Sequence, residues 1–215
     1  MIGNRPRSVA NDITTVARPW VYFLWVPALV YPGALAYRDI GMSLSLRLYG
    51  LCFVGVFSAM LVQHFLHVAG GSSSTITTGL SQSTLYRLAA VSGLPLLIIV
   101  GYFTLLRGLA VVGLFVIAGL CLVGYAIPAA KSEWYWGLGQ GVVSIGTYYV
   151  LVGDMTPGLG IGAVSIACLY YNMLHSARLA EGDYADAIGK AQKGYYIQRY
   201  AFFVGATLFP ISFVL

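Results

Sequence analysis

The residues best suited to chemistry lie in two short polar clusters, and each cluster closes a long apolar run. The first cluster is Gln63-His-Phe-Leu-His67, and the second covers residues 172–183. Together they contain all three histidines of the chain, and the second cluster is half polar or charged: Asn172, His175, Ser176, Arg178, Glu181 and Asp183. Only 9% of the chain is charged, and ionisable groups at membrane depth are candidates for function.

The histidines have three alternative roles. His64 and His67 are three residues apart, so they share one face of a helix, and His175 is expected at the same membrane depth. They could hydrogen bond to backbone carbonyls at a wet helix end, act as acid–base groups that titrate near neutral pH, or bind zinc, copper or iron. We predict acid–base roles and no bound metal. The other two roles remain as alternatives.

The remaining polar residues of the clusters complete the candidate site. Glu181 or Asp183 would donate a proton, and a histidine would accept one. Gln63, Asn172 and Arg178 would orient the polar head of a substrate, while contact with lipid headgroups is the alternative for Arg178. We expect the two clusters to face each other across one cavity, because such polar groups are costly to expose to lipid.

The composition is that of a membrane protein. The 215 residues are 59% apolar, with a mean hydropathy of +0.80, whereas ordinary soluble domains are about 45–50% apolar. Apolar runs of about 18 residues are transmembrane candidates. We predict an all-α, polytopic bundle of about seven transmembrane helices, forming a single domain 18–215 after a tail 1–17. The runs cover about 18–37, 46–69, 85–106, 109–127, 137–152, 158–178 and 195–215.

Charge sets the expected orientation. With the N-terminus inside, nine of the 12 Lys and Arg residues lie on the cytoplasmic side and three on the opposite side, which fits the positive-inside rule. We therefore predict an integral protein of the bacterial inner (plasma) membrane with a cytoplasmic N-terminus. Cations scattered along helix ends indicate contact with membrane lipids rather than nucleic acid.

Two glycine-rich runs loosely resemble nucleotide-binding loops. They are Gly137-Leu-Gly-Gln-Gly141 and Gly158-Leu-Gly-Ile-Gly162. No strand is expected before either run, so a phosphate-binding turn is not indicated. Small residues that allow helices to approach closely in lipid explain them better.

Several motifs, in order along the chain, resemble the UbiA superfamily of intramembrane prenyltransferases. Arg18-Pro-Trp20 is similar to the opening of that family, and Tyr125-Ala-Ile-Pro128 with Trp136-Gly-Leu-Gly-Gln-Gly141 is similar to its middle region. Arg178-Leu-Ala-Glu-Gly-Asp183 resembles the family's R-D-x-E-G-D motif, and Gln63-His-Phe-Leu-His67 stands where the family has N-D-x-x-D. The resemblance implies a helical bundle, usually of nine helices, with its site at the ends of helices two and six.

The departures from the family pattern concern its metal site. The resemblance implies two acidic motifs that hold Mg²⁺ for a prenyl diphosphate, and Mg²⁺ prefers oxygen ligands. Here His64 and His67 replace aspartates, and Leu179 replaces another. Ionisation of a diphosphate normally needs metal or cationic clamps, so the first expectation is chemistry without a metal.

The leading functional expectation is a UbiA-like, metal-independent cyclase or isomerase that acts on a lipophilic isoprenoid or polyene-like substrate and uses no cofactor. One alternative is a divergent prenyltransferase that joins a prenyl diphosphate to an aromatic or lipid acceptor, and only this alternative involves Mg²⁺. The other is a non-catalytic lipid- or quinone-binding subunit with protein partners in a membrane complex.

Overall fold

A computed structural model describes residues 9–17, 25–70, 78–126, 133–180 and 188–215. The secondary structure of these ranges is helical, which confirms the predicted all-α class. The helices are α1 (Val9–Ala17), α2 (Val26–Ile40), α3 (Leu46–Ala69), α4 (Gln82–Arg107), α5 (Ala110–Ala126), α6 (Glu133–Val152), α7 (Pro157–Ala180) and α8 (Ile188–Ile211), with a short 3-10 turn at Gly41–Ser43.

The seven apolar runs correspond to helices α2–α8, and the run 46–69 coincides with α3. Among the described residues, three stretches are long and apolar enough to cross a membrane: Leu46–Ala69, Gln82–Arg107 and Pro157–Leu174. These candidate spans indicate a membrane protein, and the number of seven spans stays a prediction.

Residues 9–17, which the sequence places in a polar tail, form α1 and pack against the bundle. The side chain of Val16 is completely buried, in a cluster with residues of α3 and α4 that includes Phe65 and Leu85. The backbone N–H of Gly79 donates a hydrogen bond of 3.2 Å to Oδ2 of Asp12. Helix α1 therefore covers the end of the α3–α4 pair.

Local signals explain where the helices begin and end. Ser45 and Ser81 cap α3 and α4, since each hydroxyl accepts a hydrogen bond from the backbone N–H three residues later. Between α4 and α5, Gly108 adopts a φ of 83°, which glycine tolerates without steric cost. Helices α4 and α5 are therefore joined by a tight hairpin at Arg107-Gly108.

Helix α6 lies at the centre of the bundle and contacts α2, α3, α4, α5 and α7. Its buried Ser144 hydroxyl donates a hydrogen bond of 3.0 Å to the carbonyl of Ala28 in α2. From the end of α4, Arg107 donates hydrogen bonds of 2.8 and 3.0 Å to the carbonyls of Val150 and Leu151, which have no helical partner at the end of α6. Helix α6 thus positions its neighbours around it.

Glycines let α6 approach α7 closely. A β-carbon at Gly137 would overlap the carbonyl oxygen of Ala167, and one at Gly141 would lie 2.8 Å from the carbonyl oxygen of Ala163. In the second glycine-rich run, a β-carbon at Gly162 would overlap the ring of Tyr31. The interpretation of these runs as helix contacts is confirmed.

Candidate functional site

A cavity of about 240 Å³ lies among α3, α4, α5 and α6. Near the α4–α5 hairpin it is lined by Phe103 and Val111, and near the other end by Gln63, Leu66 and Gly119. Its walls are almost entirely apolar, because each helix presents a stripe of aliphatic, aromatic or small residues to it. Such a concave apolar space with few polar groups is typical of a site for a small lipophilic molecule.

Gln63 is the most prominent polar group of the cavity. Its side chain is only 4% exposed, and its Oε1 atom has no hydrogen-bond partner among the described residues. The side chain lines the cavity together with Val62 and Leu66. A buried amide oxygen without a partner among the described residues, in an apolar wall, indicates a point where a ligand could donate a hydrogen bond.

His67 lies one helical turn beyond Gln63 on the same face of α3. Its imidazole stacks on the ring of Tyr125 in α5, with centroids 5.9 Å apart and an angle of 9° between the planes. Tyr125 in turn packs against Trp136 of α6 at 5.4 Å, and Trp136 against Trp25 at 5.0 Å. A row of aromatic rings thus joins His67 to the start of α6.

His64 contacts a different part of the molecule. Its Nδ1 lies 3.0 Å from the carbonyl oxygen of Ala17, at the end of α1. This contact requires the proton on Nδ1, because a carbonyl oxygen can only accept a hydrogen bond. One of the three alternatives for the histidines was a hydrogen bond to a backbone carbonyl, and this contact is of that kind. It also joins α1 to α3.

Asn172 makes a similar contact between helices. Its Nδ2 donates a hydrogen bond of 2.9 Å to the carbonyl oxygen of Gln198 in α8. The preceding residue, Tyr171, stacks on Trp134 of α6 at 4.1 Å. The end of α7 and the end of α3 therefore both connect, through aromatic rings, to the start of α6.

The other predicted site residues are only partly described. His175 and Arg178 belong to α7, but their side chains lie outside the described part of the structure, and Glu181 and Asp183 lie outside it altogether. The predicted meeting of the two polar clusters therefore stays a prediction. Within the described ranges, no three His, Cys, Asp or Glu side chains group as a metal site.

Three buried residues with polar atoms, of which two belong to the aromatic row, were not identified from the sequence as candidate site residues. Gln140 is completely buried, and neither atom of its amide has a hydrogen-bond partner within the described ranges. The indole Nε1 atoms of Trp25 and Trp136 are likewise buried and unpaired there. One available signal was a glutamine within the otherwise small and apolar run 136–141.

A charged cluster at the opposite end of the bundle was also missed. Nε of Arg38 donates a hydrogen bond of 2.6 Å to Oδ1 of Asp39, and the Tyr148 hydroxyl donates to the other carboxylate oxygen. A further donor of Arg38 reaches the carbonyl of Phe213, at 2.7 Å. Desolvation acts to raise the pKa of Asp39, but the hydrogen bonds from Arg38 and Tyr148 outweigh it and lower this pKa below its ordinary value.

This cluster joins the end of α2 to α6 and to the residues after α8, so its role is to hold these elements together. The cavity with Gln63 and the neighbouring His67 is accordingly the candidate functional site. Comparison of the chain with protein-family models, curated proteins and solved structures gives no match.

Proposed function

We propose that this protein is an intramembrane enzyme that takes a lipophilic, isoprenoid or polyene-like substrate into the cavity among α3–α6 and rearranges it without a metal. The observation that carries the proposal is the apolar cavity with Gln63 in its wall. A substrate seated there would have its polar end near Gln63 and its apolar part between the four helices. The motifs that resemble those of the UbiA superfamily also point to an isoprenoid substrate.

The chemistry would be acid–base catalysis. Glu181 or Asp183, which follow α7, would protonate an alkene or epoxide, and the resulting cation would lose a proton to a histidine. Such a reaction is a net cyclisation or isomerisation and consumes no second reactant. His67 is the best candidate for the base, because it follows Gln63 by one turn and stacks on Tyr125. Ring faces such as that of Tyr125 favour a nearby cation.

The test is turnover in heavy water. The protein, reconstituted in lipid nanodiscs, is incubated with farnesol or farnesene in D₂O, and the lipids are analysed by mass spectrometry. We expect isomerised or cyclised product that contains deuterium, and its formation should persist in EDTA. Replacement of His67 by Leu should lower the rate by roughly 10²-fold or more with little change in folded yield. Mg²⁺-dependent turnover of a prenyl diphosphate would instead support the divergent prenyltransferase.

A second candidate function, a non-catalytic lipid- or quinone-binding subunit, is favoured by a different observation. His64 and Asn172 each bond to a backbone carbonyl of a neighbouring helix, as residues that stabilise a bundle do. Ligand retention without turnover, and co-purification with protein partners, would favour this candidate.

The location and orientation belong to the same proposal. The three candidate spans and the excess of Lys and Arg on one side support an inner-membrane protein with its N-terminus in the cytoplasm. A reporter fused after Leu215 should then be active only outside the cytoplasm, and cytoplasmic activity would contradict this orientation.

A further inference from the structure

The buried amide oxygen of Gln63 indicates which kind of molecule the cavity binds. The side chain is 4% exposed, and Oε1 has no partner among the described residues. Burial of such an acceptor is unfavourable unless a donor reaches it. The cavity that Gln63 lines provides the space for that donor.

The walls indicate that the ligand is uncharged. Apart from the thiol of Cys52, the described residues that line the cavity have no ionisable side chain, and the other polar groups are Gln63 and Thr147. A phosphate, carboxylate or ammonium group would lose its hydration there without gaining a counter-charge from these walls. An uncharged polar group would need only one hydrogen bond.

The shape of the cavity indicates a single chain. Its lining residues on α3 extend from Cys52 to Leu66, a distance of about 20 Å at 1.5 Å per residue. Its volume of about 240 Å³ lies below the roughly 300–1,000 Å³ of sites for drug-sized molecules. A space that is long and small in volume fits one slender chain better than a fused-ring molecule or a lipid with two chains.

We propose that the cavity selects an uncharged single-chain alcohol, whose hydroxyl donates a hydrogen bond to Oε1 of Gln63 while its chain lies along α3 towards Cys52. This inference rests on the proposed use of the cavity and names the substrate class. An alcohol fits because Oε1 accepts, whereas ketones, ethers and hydrocarbons offer this atom no donor. A hydroxyl also accepts hydrogen bonds, so it matches either orientation of the amide.

The test compares four ligands that differ only at the polar end: farnesol, farnesyl methyl ether, farnesene and farnesyl phosphate. Binding to the protein in nanodiscs is measured at equal mole fraction in the bilayer, with empty nanodiscs as background. We expect farnesol to bind about five- to tenfold more tightly than the ether or the hydrocarbon, the effect of about one hydrogen bond. Farnesyl phosphate should bind more weakly than farnesol.

Two variants assign this preference to the amide. Gln63→Leu should bind farnesol and its ether equally, since only the amide distinguishes them, and Gln63→Met serves the same purpose if the Leu variant does not fold. Gln82→Leu is the matched control, because Gln82 lies outside the cavity and donates to the carbonyl of Ala69. It should keep the full preference for farnesol.

The outcomes separate the two proposals. Equal binding of farnesol and its ether by the wild type, or a preference that survives in both Gln63 variants, overturns the alcohol assignment and leaves the cavity as a lipid site. Tightest binding of farnesyl phosphate also overturns it. Absence of binding by all four ligands overturns the proposed function itself.

Discussion

At the residue scale, buried polar atoms divide into those that hold the bundle together and those without a partner. Ser144 and Asn172 belong to the first group, because each donates to a carbonyl of another helix. Among the described residues, Oε1 of Gln63 and both amide atoms of Gln140 belong to the second. Gln63 lines the cavity among α3–α6 and Gln140 is not part of its lining, so the two residues should respond differently to substitution.

Replacement of Gln140 by Met should stabilise the protein. The substitution keeps the length of the side chain and removes a buried amide that has no hydrogen-bond partner in the described part of the chain, and an unpaired buried group costs about 1–3 kcal/mol. Thermal unfolding in detergent should show a higher Tm for Gln140→Met, with Ser144→Ala as a control that should be less stable. A clear loss of stability in Gln140→Met would mean that this amide is hydrogen bonded in the native protein.

Asp39 should make the stability of the protein depend on pH in the acidic range. The pKa of Asp39 in the folded protein is lowered from its ordinary value. Its contribution to the free energy of unfolding is therefore complete above its pKa in the unfolded chain, which is about 4. That contribution is lost as the pH falls through the folded pKa. Between about pH 5 and pH 3, the wild type should therefore lose more stability than Asp39→Asn.

The control for Asp39 is Asp154→Asn. Asp154 is exposed, and its carboxylate accepts a hydrogen bond from the backbone N–H of the neighbouring Met155. This variant should retain the acid-dependent loss of the wild type. The measurement is the thermal midpoint in a series of buffers, and parallel curves for the wild type and Asp39→Asn would contradict the prediction.

The sequence was informative about the candidate site only where polarity contrasts with its surroundings. Gln63 and His67 stand out because they close an apolar run, and the structure places Gln63 in the cavity wall. The sequence did not distinguish His64 from His67, since their different contacts depend on the position of α1. Gln140 also contrasts with the small and apolar residues around it, but its complete burial depends on helices distant in sequence and has no local signal.

At the element scale, the close approach of α6 and α7 depends on Gly137 and Gly141. Gly137→Ala should destabilise the protein by about 1–3 kcal/mol, because the added methyl group would overlap the carbonyl oxygen of Ala167 and force the helices apart. Thermal or denaturant unfolding in detergent measures the change.

Gly101→Ala is the matched control for this prediction. Gly101 lies inside α4, and a β-carbon there would meet no atom within 4 Å. Since alanine favours the helix by up to about 1 kcal/mol over glycine, this variant should be neutral or more stable. Equal effects of the two substitutions would show that helix contact does not limit stability at Gly137.

The fold could be predicted from the sequence as far as single helices, but not their arrangement. Apolar length located α2–α8, and serine, proline and glycine marked several ends. Helix α1 was missed because its nine residues include four polar ones, so it contains no long apolar run, and only a narrow stripe around Val16 packs on the bundle. The packing of α2 on α6 followed from no local signal, since it depends on contacts such as that of Ser144 with Ala28.

At the scale of the whole molecule, the cavity is a local exception to a closely packed helical bundle. Interiors normally leave few voids larger than a water molecule, and an empty apolar cavity lowers stability because its walls lose contacts. Four helices nevertheless line one volume of about 240 Å³. A substitution that fills the cavity should therefore stabilise the protein and weaken the binding of a ligand.

Ala118→Leu tests this opposition, since Ala118 lines the cavity and a leucine side chain would fill part of it. We expect the free energy of unfolding to rise by about 0.5–2 kcal/mol, as for other cavity-filling substitutions, while binding of a lipophilic ligand falls. Ala110→Leu, at the exposed start of the same helix, should change neither property. Unfolding in detergent and ligand retention in nanodiscs provide the two readouts. If Ala118→Leu retained full ligand binding, the cavity could not be the binding site, because the leucine would occupy the space that the ligand chain requires.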